Sequence, residues 1–544
     1  MPVSACAVLV RRRIQHMSGD TNSTKESTRE LNAEGLLLAL FVVVLAWAPF
    51  PYGSNRLWAE LLLGAGLGIV AVLWAAAVVF GLAHVTSLTG KLLVPALCFG
   101  GALCWAAFQS ADLTVIDRWF DLSLASSLAH PVWAMAHEAL GKPVGAFISV
   151  DPGLTREAIT RALFAVASFV VAFELARNSA RARILLQAIV MIATAYAFMG
   201  LASFFLHSDL QTWLMADVRP DSDRVAAPYF NPDHLATYCG LGALCALGLL
   251  VEGLTRGVVW DRGGTILLRT LLQAMTGAAA IWFVATILLL AALLLSQSRG
   301  GFFAFAAGAI ALAAGMAFGR NPSKQRQGRA GGPRLILASF ALVLAIAIWI
   351  GGEPLMGRLG SEGNVLDGRK EFALSTLDAI KSAPLLGLGF GAFERYYPFF
   401  SDGAIPGDVD KAHDDYLEIV ADLGLPAGVA FLAAPFILGG FCAGGCVRRV
   451  RGQVFPAVGL AASVLVGAHA LVEFSLQIPA IAVTYAAILG IGTAQAWRPR
   501  ANGEAAQSII NDRAEPRLEP YLRGEVKLSV RRRSDVVPNA QREY

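Results

Sequence analysis

Long apolar runs alternate with short polar links along most of the chain. The runs fall at 33–50, 58–82, 91–109, 155–177, 183–207, 233–253, 272–296, 301–319, 334–352, 423–445, 453–475 and 479–497. A helix needs about 20 apolar residues to cross the ~30 Å hydrocarbon core of a bilayer, and each run is close to that length. The pattern predicts about twelve transmembrane helices and an all-α, polytopic membrane protein. One long polar interval, 353–422, separates the ninth run from the tenth. Its patches of helical periodicity predict a large loop carrying short helices. The flanks differ in kind: 1–32 and 498–544 are polar and mixed in charge without sustained periodicity, which predicts a disordered leader and tail around a membrane domain spanning 33–497.

Composition agrees, with 56% hydrophobic and only 15% charged residues, where a soluble domain carries about 25% charged. The polar leader before Leu36 and the lack of a small-residue cleavage site argue against a cleaved signal peptide. Cationic residues orient the spans. With the N-terminus in the cytoplasm, the inner links collect Arg177, Arg181 and Arg183; Arg256, Arg262 and Arg269; Arg320, Lys324, Arg326, Arg329 and Arg334; and Arg448, Arg449 and Arg451. Both ends then lie inside, and the 353–422 loop, where acids outnumber bases, lies outside. The cysteines sit mostly within apolar runs and read as small hydrophobes rather than disulfides. Cys442 and Cys446 lack the partners a zinc site needs.

Against this background a few polar residues stand out. "SQSRGG" (296–301) sets Arg299 between two apolar runs, at the outer end of the seventh and eighth spans. Two readings compete: snorkelling to lipid phosphate, or holding a ligand beside a backbone that Gly300 and Gly301 leave open to close approach. In "GRKEFALSTLDAIKSAPLLGLGFGAF" (368–393), Arg369 shares a helical face with Phe372, Ala373, Thr376 and Ile380, an odd place for a purely solvated charge. "GLGFG" follows a helix rather than a strand, so it reads as a tight turn and not a dinucleotide loop. In "AHDDYLEIVADLGLPAG" (412–428), a helical wheel puts His413, Tyr416, Leu417 and Val420 on an apolar stripe. It puts Asp415, Glu418 and Asp422 on an opposite stripe facing water. "DRVAAPYFNPDHLATYCG" (223–240) contributes Arg224 as another outer cation, with Asn231 and Asp233 placed to cap the sixth span. The "DSD" at 221–223 and "DVD" at 408–410 mimic a nucleotide-sugar transferase motif but lie on the wrong side of the membrane and in the wrong fold class.

Taken together, "SQSRGG", "GRKEFALSTLDAIKSAPLLGLGFGAF" and "HDDYLEIVADLGLPAG" resemble the bacterial O-antigen ligase and polymerase family, and "FNPDHLATYCG" and "PYGSNRLWAE" (51–60) resemble further blocks of it. The "HDD" at 413–415 departs from the family's usual His-Asn while leaving the histidine in place. The resemblance implies an integral-membrane glycosyltransferase of the bacterial inner membrane, working on its periplasmic face. It implies an undecaprenyl-pyrophosphate-linked glycan as donor, lipid A-core or a second lipid-linked glycan as acceptor, and membrane lipid as surroundings. No cofactor, metal or nucleic acid is expected. Arg299 and Arg369 would hold the pyrophosphate, with Arg224 a further cation, since arginine's fork offers bidentate charge without a metal. His413 would be the base for the acceptor hydroxyl. A lipid-linked-glycan flippase is the competing class, but such transporters carry internal repeats and midplane charges, neither of which is evident here. A protein O-oligosaccharyltransferase shares the donor chemistry and stays open.

Overall fold

The computed structural model describes residues 33–83, 85, 89–206, 224–257, 277, 279–317, 364–401, 409–449 and 452–497. The expected leader 1–32 and tail 498–544, the basic link 320–334, the span 334–352 and the acidic "DSD" at 221–223 lie outside these residues. Of the two units into which the chain divides, Met1–Trp497 and Arg498–Tyr544, only the first contains described residues.

The described residues form helices and no strand. In chain order they are α1 (Ala33–Trp47), α2 (Leu57–Val79), α3 (Thr89–Gln109), α4 (Leu113–Phe120), α5 (Leu124–Leu128), α6 (Val132–Leu140), α7 (Pro152–Leu175), α8 (Ser179–Phe205), α9 (Pro232–Gly257), α10 (Ala280–Leu295), α11 (Arg299–Ala317), α12 (Asn364–Ser382), α13 (Phe393–Tyr396), α14 (Asp415–Leu423), α15 (Leu425–Arg448), α16 (Val454–His469) and α17 (Pro479–Ala494). Polar residues set the starts. Asp151 accepts from the amides of Gly153 and Leu154 at the head of α7, and Asn178 from Ala180 at the head of α8. Proline opens α7, α9 and α17, where its missing N–H costs nothing.

Seven of these helices are long and apolar enough to cross a membrane: α2, α3, α7, α8, α9, α11 and α15. Four more, α1, α10, α16 and α17, coincide with expected spans but have only 10–17 residues. At 1.5 Å per residue such helices measure about 15–25 Å, shorter than the ~30 Å hydrocarbon core. The described residues therefore support seven candidate spans rather than the expected twelve. The protein is an all-helical, multi-pass membrane protein.

α9 is central, with its apolar stretch buried on every side. Around it α11 pairs with α16, α9 with α10, α7 with α17 and α3 with α15. The largest apolar core runs from Phe41 and Leu67 to Leu465 and Ile488, and a separate small one on Ala102, Ala106 and Leu423 lies where α3 meets α15. Another small core, built on Ala379, Leu388, Phe393 and Tyr396, belongs to the segment 364–421, which carries the 19-residue α12, the four-residue α13 and the start of α14.

The "GLGFG" stretch is a turn. Gly387 has φ 70°, and a Cβ on it would come within 2.2 Å of the Asp422 carbonyl oxygen. The turn's amides bond outward to backbone: Leu388 N to Ala421 O at 3.0 Å and Gly389 N to Asp422 O at 2.9 Å. Its groups are thus spent on holding the C-terminal end of α14.

Candidate active site

The starts of α9, α11 and α17 and the ends of α10 and α16 meet at one end of the helical core, and α12 and the segment 409–414 cover them. Three hydrogen bonds show the convergence. Thr237 Oγ1 in α9 lies 2.6 Å from His469 Nδ1 at the end of α16, and 2.9 Å from Ser475 Oγ in the turn before α17. Arg224 Nε donates to the Ser296 carbonyl at the end of α10, at 2.8 Å. A Cβ on Gly300 would lie 3.0 Å from His469 Nε2, so only glycine lets the start of α11 approach α16 this closely.

At the centre of this cluster is Glu473, only 1% exposed, in the connection between α16 and α17. Its Oε1 is 3.1 Å from His413 Nδ1 and 4.0 Å from His234 Nε2, and its Oε2 is 3.9 Å from Arg369 Nη2. Aromatic rings enclose the histidine. Phe372, one turn beyond Arg369 on α12, stacks on the His413 ring at 5.7 Å. Phe474 meets it edge-on at 5.0 Å and meets His234 at 4.8 Å on the other side. The expected face of α12 is therefore confirmed in part: Arg369 and Phe372 reach the cluster together, and Thr376 is buried beneath them.

Burial lowers the basicity of His413, but the hydrogen bond its ring donates to Glu473 and that carboxylate's negative charge outweigh burial, so its pKa stands above the ordinary 6.5. With Nδ1 hydrogen-bonded to a carboxylate, Nε2 is the ring atom able to accept a proton. The Glu473 carboxylate thus stands between an imidazole on one oxygen and a guanidinium on the other.

Two sequence expectations about the 412–428 stretch need correction. His413 is not part of a helix. Asp414 caps α14 by accepting from the amides of Tyr416 and Leu417, both at 3.0 Å, and His413 lies just before it with φ 54°. It faces Glu473 and two phenylalanines rather than extending an apolar stripe of α14. The acids Asp415, Glu418 and Asp422 do not face water either; they are 2%, 1% and 2% exposed. Asp422 accepts from Tyr396 Oη at 2.7 Å and from Gly391 N at 2.6 Å. Asp415 accepts from Gln477 Nε2 at 2.9 Å. Burial pushes the Asp415 and Asp422 carboxyls up, and the neighbouring Glu418 adds to the rise.

Arg299 is the first residue of α11 and half-buried. It follows Ser298, whose Oγ accepts from Gly301 N at 3.0 Å. Arg224 lies in the same region but is engaged: its Nη2 is 3.2 Å from Asp233 Oδ1. Asn231 caps α9, accepting from Asp233 N at 2.8 Å, while Asp233 turns its carboxylate to Arg224. Of the two capping residues expected, one caps and the other forms an ion pair.

Sequence reasoning missed Glu473, His234 and His469. Glu473 left a signal, because it is the one ionised side chain in the stretch 453–497. An acid within an apolar run marks a functional position by default. No curated protein matches the chain. Residues 284–432, the stretch that holds Arg299, Arg369 and His413 and stops before Glu473, match the family described as O-antigen ligase, which supports the resemblance seen in the sequence.

Proposed function

We propose that the protein transfers a glycan from an undecaprenyl-pyrophosphate carrier to an acceptor hydroxyl on the periplasmic side of the bacterial inner membrane. The observation that carries the reading is the meeting of Arg369, His413 and Glu473 beside the start of α11, three elements remote in sequence that share one carboxylate. In this reaction the acceptor oxygen attacks the anomeric carbon of the donor sugar. A new glycosidic bond forms, the bond from that carbon to the pyrophosphate oxygen breaks, and the acceptor proton passes to His413 Nε2. Glu473 steadies the imidazolium that results, as a carboxylate behind a catalytic histidine does. Pyrophosphate leaves as an anion and needs positive charge rather than an acid. Arg369 and Arg299 supply that charge, and the start of α11 adds the positive end of its dipole. Arg224, already paired with Asp233, supports the scaffold more than the donor.

The proposed topology keeps both chain ends in the cytoplasm, twelve spans within 33–497, and 353–422 as the outer loop. The convergence of Arg224, Arg299, Arg369, His413 and Glu473 at one end of the helices is the arrangement this topology requires. Lipid A-core or a second lipid-linked glycan is the proposed acceptor, and no metal takes part in the scheme. Deletion of the gene followed by gel analysis of surface glycans tests the reading. Loss of lipid A-attached chains identifies a ligase, and single repeat units left on core identify a polymerase. An unchanged surface glycan profile contradicts both.

A further inference from the structure

His413 has no helix to hold it, and its left-handed backbone, φ 54°, is one that side-chain-bearing residues adopt infrequently. Its position is set from both flanks. On the far side, Asp414 caps α14 and Asp415 N donates to the Ala470 carbonyl at 2.9 Å. On the near side, Ala412 N donates to Glu418 Oε2 at 2.8 Å, and Lys411 Nζ lies 3.2 Å from Glu418 Oε1. Glu418 Oε1 also accepts from Gln477 Nε2 at 2.9 Å, and the same amide donates to Asp415 Oδ1 at 2.9 Å. Gln477 ends the short 3-10 turn Ser475–Gln477, four residues beyond Glu473. One buried carboxylate therefore grips both the segment that carries the histidine and the turn that carries the histidine's partner.

We infer that Glu418 and Gln477 are positioning residues that lock the His413 segment onto the Glu473 turn and so hold the imidazole and carboxylate at hydrogen-bonding distance. Neither touches the proposed reacting atoms. Three donors satisfy the Glu418 carboxylate, with Lys411 supplying the opposite charge. An apolar residue at 418 would leave Lys411 and the Ala412 amide without it. Buried ionic groups add little net stability over apolar replacements. Fixing one geometry is what this one offers. The kinetic part of the inference rests on His413 acting as the base, while the geometric part does not.

The test is an isotope-edited NMR titration of His413 in the purified full-length protein, together with transfer kinetics, for Gln477→Leu and Glu418→Gln. Gln477→Leu cuts the link to the turn and leaves Glu418 with Lys411 and Ala412. Glu418→Gln keeps an acceptor for Ala412 and removes the charge that holds Lys411, so it serves if the first variant fails to fold. The groups facing His413 are Glu473 from the turn, Arg369 from α12 and Asp410 from its own segment, with His234 beyond Phe474. All remain in both variants. A loosened Glu473 contact lowers the His413 midpoint toward its ordinary value and lowers kcat by roughly tenfold or more, with the donor KM near wild type, because small misplacements of a reacting group are costly. A shifted midpoint in a protein that shows no glycan transfer even as wild type upholds the lock and sinks the reaction. An unmoved midpoint in the folded variants overturns the lock, whatever happens to their stability.

Discussion

Replacing Glu473 by glutamine keeps the shape of the side chain and removes its charge from His413. The contact at stake is the 3.1 Å bond from Nδ1 to Oε1, made by a carboxylate that is 1% exposed. A hydrogen bond to a charged group contributes about 1.5–3 kcal/mol and a neutral one about 0.5–1.5, so the change removes about 1–1.5 kcal/mol of preference for the imidazolium. The His413 midpoint therefore falls when the charge is removed. Because the base must be neutral, activity disappears as pH falls through that midpoint, and the acidic limb of kcat/KM moves to lower pH in Glu473→Gln. The imidazolium formed in the transition state loses the same support, so the plateau above the limb drops about tenfold. Donor KM does not rise, since Arg369 is relieved of a carboxylate 3.9 Å away rather than deprived of a partner for phosphate. The assay is glycan transfer by purified protein with a synthetic lipid-linked donor, from about pH 5.5 to 8.5, normalised to folded protein. A limb that stays in place in an active variant would refute the role assigned to Glu473.

The remaining predictions concern charge and topology. Arg299→Lys and Arg369→Lys keep the charge but lose the fork, and each should lower transfer about ten- to hundredfold, for a loss of roughly 1.5–3 kcal/mol, with insertion intact; wild-type rates in both would return Arg299 to the role of a lipid-phosphate anchor. Asp414→Asn retains an oxygen able to cap α14, as Asp414 now does toward Tyr416 and Leu417, and should leave both activity and melting temperature near wild type. Reporter fusions at residues 325 and 400 should fall on opposite sides of the membrane, with 400 outside. Finding both on one side would dismantle the proposed placement of the site.

The candidate site was legible where its chemistry is local. Arg299 and Arg369 each stand beside apolar neighbours and His413 sits in a short motif, so local pattern flagged them and the family resemblance supplied their expected roles. Glu473 interrupts an apolar run, but nothing local ties it, His469 or Gln477 to a histidine about 60 residues earlier. Their role arises only when the ends of α9, α16 and α17 come together. The reversed face of α14 has the same cause. Asp415, Glu418 and Asp422 are polar by type, but Lys411, Tyr396, Gln477 and the glycine turn cover them with hydrogen-bond donors that a single helix's pattern does not reveal. Span counting found the seven long helices, and the shorter α1, α10, α16 and α17 also fall on expected apolar runs.

The most direct measurement is turnover of His413→Ala per folded molecule, alongside donor binding by the same preparation. If His413 is the base, kcat falls about 10²–10⁴-fold, while the lipid-linked donor still binds through the arginines. If the ring serves only to fill the space between Phe372 and Phe474, the variant loses yield or melting temperature and the molecules that fold remain fully active. Full specific activity in folded His413→Ala would contradict the account.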